Sequence, residues 1–272
     1  MSLIDTHCHY YLKDFDADLE ASVQRCVDNG ISKIFLPAID SETHDRLIAL
    51  SEKKFNQPNF EILPTMGVHP CSIQQDYEQE LALALKHLDS GKKYYAVGEI
   101  GLDYYWDKTH IDLQVKAFET QIEWAIERNL PIIIHAREST ADCIKSVRKY
   151  AGKVTGIFHC FSGNAEEAQQ CIDLGFYLGI GGVVTYKKAG MKEMLPAIGI
   201  QNIVLETDAP DIPPHWLYKT AEQRAQGERG RNEPAELPRI AETLAEVRGW
   251  SLAETRERTS ATLATNSIRQ PS

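Results

Sequence analysis

The chain has 272 residues, and 29 Lys plus Arg against 39 Asp plus Glu leave a formal net charge of −10. That length suits one barrel of roughly 250 residues, and a composition 43% hydrophobic and 25% charged excludes disordered and fibrous classes. The acidic balance excludes a protein that coats polyanions through bulk charge, so any contact with nucleic acid has to be local.

From the first residue, Met-Ser-Leu-Ile-Asp-Thr-His shows neither the basic start nor the apolar stretch of a signal peptide. No later apolar run approaches the ~18 residues of a membrane span. The expected setting is cytoplasmic, with no membrane contact. Six scattered cysteines without paired spacing are expected as reduced, buried thiols. Short apolar segments then recur at Leu3–Asp5, Lys33–Leu36, Ile62–Met66, Tyr95–Val97, Pro131–Ile134, Val154–Phe158, Phe176–Leu178 and Ile203–Leu205, each reading as a strand. Between the fourth and fifth, Ile111, Val115, Phe118, Ile122 and Ile126 make one face of a helix that stops at Asn129 and Pro131. Helical patterns also fall at 17–29, 41–54, 77–90, 140–150, 164–174 and 188–197.

Eight alternations predict an α/β chain, a (β/α)8 TIM barrel forming a single domain over 1–272, with reactive groups at the C-terminal ends of the strands. Gly179, Gly181 and Gly182 lack the spacing of a phosphate fingerprint and read as turn residues. The long polar stretch Asp211–Pro234, with Arg224, Arg229 and Arg231, reads as a functional or mobile loop.

Six metal-ligating side chains sit at the expected catalytic level. His7 and His9 end the first strand, and their two-residue spacing directs both to one face. Glu99, His135, His159 and Asp208 end strands four, five, six and eight. A carboxylate at the mouth of a buried strand is costly without a cation or donors. Histidines plus carboxylates predict a binuclear divalent site: His7, His9, Glu99 and Asp208 on one ion, Glu99, His135 and His159 on the other, with Glu99 bridging. A water between two such ions is a strong nucleophile at neutral pH, and Asp208 is placed to accept its proton, so the chemistry expected is hydrolysis with Glu99 and Asp208 as the catalytic carboxylates.

The motifs His7-Cys8-His9, Gly67-Val68-His69-Pro70, Gly98-Glu99-Ile100-Gly101-Leu102-Asp103, Ile134-His135-Ala136-Arg137, His159-Cys160-Phe161-Ser162-Gly163, Glu206-Thr207-Asp208-Ala209-Pro210 and Arg229-Gly230-Arg231-Asn232-Glu233-Pro234 resemble the TatD family of metal-dependent hydrolases, in order, from residue 4 to about residue 240. The resemblance implies an amidohydrolase-like barrel and a magnesium-dependent deoxyribonuclease that trims DNA from the 3′ end. It also implies that His7, His9, Glu99, His135, His159 and Asp208 are the metal ligands.

Four further residues read as substrate contacts. His69 either serves as a general acid or phosphate donor, or braces the turn before Pro70. Arg137 either forks onto a phosphate or pairs with a carboxylate such as Glu206. Arg229 and Arg231 either grip substrate or are solvated. The expected substrates are DNA strand ends or short oligonucleotides; the alternative is a small-substrate amidohydrolase or phosphoesterase on the same metals. The expected cofactors are two divalent ions, Mg or Mn in function, with Zn, Ni or Co possible in purified protein. A monomer without an obligate protein partner is expected.

Overall fold

The computed structural model describes residues 2–106, 108–218, 226 and 230–264. Its strands are β1 (Leu3–Asp5), β2 (Ile31–Leu36), β3 (Glu61–Pro64), β4 (Val97–Asp103), β5 (Ile132–Arg137), β6 (Gly156–Phe158), β7 (Phe176–Ile180) and β8 (Ile203–Leu205). β1 to β3 pair in order, as do β4 to β8, and all these pairings are parallel. Two seams join the sheets into a ring. At one, Met66 bridges to Val97 and Gly98 N donates to Met66 O at 3.0 Å. At the other, Thr6 N donates to Leu205 O at 3.0 Å and His9 N to Ala209 O at 2.7 Å. The predicted (β/α)8 barrel is the observed architecture.

Helices α1 (Leu19–Asp28), α2 (Ser41–Glu52), α3 (Tyr77–Leu88), α4 (Ile111–Glu127), α5 (Thr140–Arg148) and α6 (Ala165–Asp173) follow the first six strands, close to the spans that periodicity predicts. The seventh differs. In place of a helix over 188–197, α7 covers Met191–Met194 and gives way to a 3-10 turn at Leu195–Ala197, because Pro196 has no N–H with which to continue the ladder. Two more helices, Leu237–Arg248 and Leu252–Ala264, follow β8. The second lies against β1 and β8, where Ser260 Oγ donates to Ser2 O at 2.9 Å. Among the described residues no helix is long and apolar enough to cross a membrane.

The strands sort their side chains by alternation. Ile34 and Leu36 of β2, and Ile132 and Ile134 of β5, join the large apolar cluster shared with the helices. Phe35 and Ile133, between them, join a separate small cluster with Leu63 and Ala96, which is the inward face. His135 and Arg137 continue the inward set of Ile133. Strand β4 departs from this rule. Val97 pairs with Ile132 but Ile100 with Ile134, so three steps along β4 match two along β5. The extra residue is a bulge, which re-aims a side chain: Val97 and Ile100 both face the outer cluster, and Glu99 turns its carboxylate into the barrel. Gly101 keeps the bulged strand close to β5, since at φ 143° a β-carbon there would lie 2.0 Å from His135 O.

Candidate metal centre

The six predicted ligands converge on one cavity of about 740 Å³ at the C-terminal ends of the strands, lined among others by His9, Glu99, His135, His159 and Asp208. Glu99, 2% exposed, sits at its floor and divides its two oxygens. Oε2 lies 3.0 Å from His7 Nε2 and 3.6 Å from His9 Nε2. Oε1 lies 2.8 Å from both His135 Nδ1 and His159 Nε2. Asp208 Oδ1 closes the first group, 3.6 Å from His7 Nε2 and 3.8 Å from His9 Nε2. Among the described residues, donor atoms within 4.8 Å of one another form three sets: His7, His9 and Asp208; His7, Glu99 and His159; and His69, Glu99 and His135. His159 stacks on His7 with ring centroids 3.8 Å apart, so it lies between the two groups rather than wholly in the second.

Each donor is held from behind. Tyr11 OH donates to Pro37 O at 2.6 Å, which leaves its oxygen to accept from His9 Nδ1 at 2.9 Å. His135 Nε2 faces Asp103 Oδ2 at 2.9 Å. These partners take the ring hydrogens, so His9 Nε2 and His135 Nδ1 point lone pairs into the site. Asp5, fully buried, accepts from His7 N at 3.1 Å, Thr207 N at 3.0 Å and Thr207 Oγ1 at 2.6 Å, tying the end of β1 to the end of β8. Asn232 Nδ2 donates to Thr207 O and Asp211 O, both at 2.7 Å, fixing the segment that carries Asp208.

The electrostatics fit a divalent cation. Burial drives the Asp208 carboxyl well above the usual carboxylate range. Burial also raises Glu99, but the imidazoles of His159, His7 and His69 outweigh it and hold that carboxyl well below the usual range. Burial lowers His7 and His9. It lowers His159 as well, yet Glu99 and Glu206 lift that imidazole well above the usual value. With its ring hydrogen on the Asp103 side, His135 turns an acceptor nitrogen toward Glu99 Oε1 at 2.8 Å, away from water, an arrangement that calls for positive charge between them. Imidazoles mixed with carboxylates are the donor set of Mn, Zn, Co or Ni, with carboxylates the part that Mg prefers.

The other predicted contacts divide. His69 braces its turn, Nδ1 accepting from Cys71 N at 3.0 Å, and its Nε2 lies 3.3 Å from Glu99 Oε1, inside the donor cluster. Arg137 lines the cavity and does not pair with Glu206; its guanidinium stacks 3.9 Å over the Tyr105 ring. Arg231 is drawn away from the cavity. Its Nη2 donates to Asp18 Oδ2 at 2.9 Å and Glu233 Oε2 at 3.1 Å, and its guanidinium lies over Phe15, so the fork expected for substrate is filled by carboxylates. Arg224 and Arg229 lie outside the described residues. Gly179 and Gly181 leave room for the buried Glu206 side chain, whose Oε1 accepts from Cys160 N; packing, more than turn geometry, explains them. Sequence reasoning missed Asp5, Asp103 and Asn232 as positioning groups, and named Glu206 only as an alternative partner for Arg137. Asp103 and Glu206 had one local signal, a second carboxylate within four residues of a predicted ligand.

The family model described as TatD related DNase matches residues 4–266. An uncharacterized metal-dependent hydrolase, YabD of Bacillus subtilis, is 36% identical over 255 residues, covering 93% of each chain. A 3′-5′ ssDNA/RNA exonuclease TatD of Pantoea vagans is 31% identical over 243 residues, covering 88% of this chain and 89% of that protein. The crystal structure of YjjV, a TatD homolog from Escherichia coli, superposes with a TM-score of 0.83 at 28% identity, covering 99% of this chain and 98% of that one. Sequence and fold agree along nearly the whole length, and the chain belongs to the TatD family of metal-dependent hydrolases.

Proposed function

We propose that this protein is a divalent-metal-dependent phosphodiesterase that shortens a DNA strand from its 3′ end. The observation that carries the reading is the division of Glu99, whose two oxygens face separate imidazole groups at the floor of an open cavity. His7, His9 and Asp208 would hold one ion and His135 and His159 the other, with Glu99 between them. When bound, such ions supply Lewis acidity toward a phosphoryl oxygen and a nucleophile at neutral pH. The chain's own part is proton handling and orientation. The oxygen of the attacking water would bond to phosphorus while the P–O3′ bond of the terminal linkage breaks; the water's proton would pass to the Asp208 carboxylate, and the departing 3′ oxygen would take a proton from bulk water to leave as a hydroxyl. Asp103 and Tyr11 keep His135 and His9 in the tautomers that leave their lone pairs free.

Among the described residues Arg137 is the sole Lys or Arg lining the cavity, and with a net charge of −10 this supports binding of a strand end in preference to a long duplex. The relatives named as ssDNA/RNA exonucleases support the same substrate class. All six cysteines are unpaired, which supports the cytoplasmic setting. The test is a chelated protein given Mg, Mn or Zn and a 5′-labelled single-stranded oligonucleotide. A ladder receding from the 3′ end, lost with a 3′ block, is expected. Intact oligonucleotide with every metal, alongside turnover of a nitrophenyl phosphate or a lactone, would overturn it in favour of a small-substrate hydrolase.

A further inference from the structure

Beside the cavity mouth stands an unexplained aromatic surface. Trp106 is 69% exposed and Tyr105 51%, and Leu83 is the only other exposed large apolar side chain among the described residues. Exposing two adjacent rings forgoes burial that the rest of the chain takes. They pack edge to face, with centroids 4.9 Å apart. The Arg137 guanidinium lies 3.9 Å over Tyr105 and 5.4 Å from the centre of Trp106, and makes no hydrogen bond or ion pair with the described residues. Trp106 and Arg137 both line the cavity that holds Glu99 and His135.

The platform is fixed to the donor cluster by one carboxylate. Asp103 Oδ1 accepts from Tyr105 N at 2.8 Å and Trp106 N at 3.0 Å, while its Oδ2 faces His135 Nε2 at 2.9 Å. Arg137 follows His135 on the same inward face of β5. Ring, guanidinium and metal ligands therefore keep a set spacing, as a subsite requires.

We propose that Trp106 and Tyr105 form a stacking subsite for a nucleobase of the strand, with Arg137 bridging from the rings to the adjoining phosphate. An indole and a phenol ring accept any base by its π face, and a planar guanidinium can stack and still direct N–H groups to a phosphate. The subsite prefers single-stranded ends, because a paired base has its faces covered by its neighbours. It rests on the phosphodiesterase reading for its substrate class.

The experiment compares two 3′-terminated oligonucleotides, identical except that one carries abasic residues at its two terminal positions. Wild-type protein should favour the normal strand in kcat/KM, with the difference in KM. In Trp106→Ala that preference should fall by roughly 5- to 150-fold, the range of one base stacked on an aromatic ring, and Trp106→Phe should restore most of it. A second readout needs no turnover: a phosphorothioate trinucleotide should quench the fluorescence of wild-type protein and not that of Trp106→Phe. Normal cleavage with an unchanged base preference in Trp106→Ala would overturn the subsite and leave the phosphodiesterase standing. Quenching without cleavage by any metal-loaded form would do the reverse.

Discussion

Gly179→Ala tests the packing that sets His159. A β-carbon at residue 179 would lie 2.2 Å from Glu206 Oε2, 2.8 Å from its Cδ and 3.1 Å from His159 Cα. Glu206 is fully buried and Gly181 flanks it on the same side, so the carboxylate can yield only by leaving Cys160 N, to which its Oε1 is bound. Overpacking of this kind costs roughly 1–3 kcal/mol, and losing a carboxylate's bond to a half-buried backbone donor adds about 1.5–3 kcal/mol. The sum, about 2.5–6 kcal/mol, corresponds to a fall in Tm on the order of 5–24 °C at the ~2–4 °C per kcal/mol typical of chains near this length. Calorimetry on the wild type, Gly179→Ala, Glu206→Ala and the double variant forms a thermodynamic cycle. Once the Glu206 side chain is gone the added methyl keeps only its 3.1 Å approach to His159 Cα, so Gly179→Ala should cost clearly less in that background and the pair should be non-additive. An unchanged Tm in the single variant, or simple additivity in the double, would refute the account of Gly179. Because His159 directly precedes Cys160, Gly179→Ala should also take up less metal from a limiting supply.

Asp208→Asn should stay folded, since Asp208 sits at φ 58°, a conformation that Asn tolerates, while turnover falls by roughly 10²–10⁴ for want of the proton acceptor; an unaltered rate would remove Asp208 from the mechanism. Glu99→Gln should bind less total metal, and chelation of wild-type protein should lower its stability by about 2.7 kcal/mol when the metal had been present at 100 times its Kd; elemental analysis and thermal melts check both. Arg231→Ala should lower stability by about 1 kcal/mol, as expected of a partly exposed ion pair, without raising KM for an oligonucleotide; a raised KM would return Arg231 to the substrate. Its effect should also depend on pH. Burial raises Glu233, but Arg25, Ser22 and Arg231 together hold its carboxyl below the usual value, so the network's stability is present above the unfolded carboxylate pKa and lost as pH falls through the folded one. The Tm gap between wild type and Arg231→Ala should therefore be full at neutral pH and narrow well below pH ~4.

What could be read in the sequence and what could not separate along a physical line. Apolar runs report burial, and burial in a parallel barrel is periodic, so eight strands and six of the helices stood out, and so did the donors His7, His9, His135, His159 and Asp208, each where an apolar run breaks into a polar residue. Glu99 was found for a reason the structure revises. The expected strand ended at Val97, yet β4 continues to Asp103, and Glu99 reaches the site through a bulge within the strand, a feature that leaves no mark on hydropathy because Gly98 and Gly101 contribute no side chain to the pattern. The groups that aim the donors are less visible still. Asp5 bonds to Thr207 across 202 residues and Arg231 to Asp18 across 213, and a buried carboxylate or a saturated arginine has the same letter as a solvated one. Arg231 shows the consequence: positive charge near a catalytic strand reads as affinity for phosphate only until its partners are known, and Asp18 and Glu233 had already taken the fork. Arg137 shows the converse. Its neighbours are rings, its guanidinium is free of carboxylates among the described residues, and the exposed pair Tyr105 and Trp106, unremarkable in the sequence, stacks beside it at the cavity, so it is the described cation on which the proposed subsite depends.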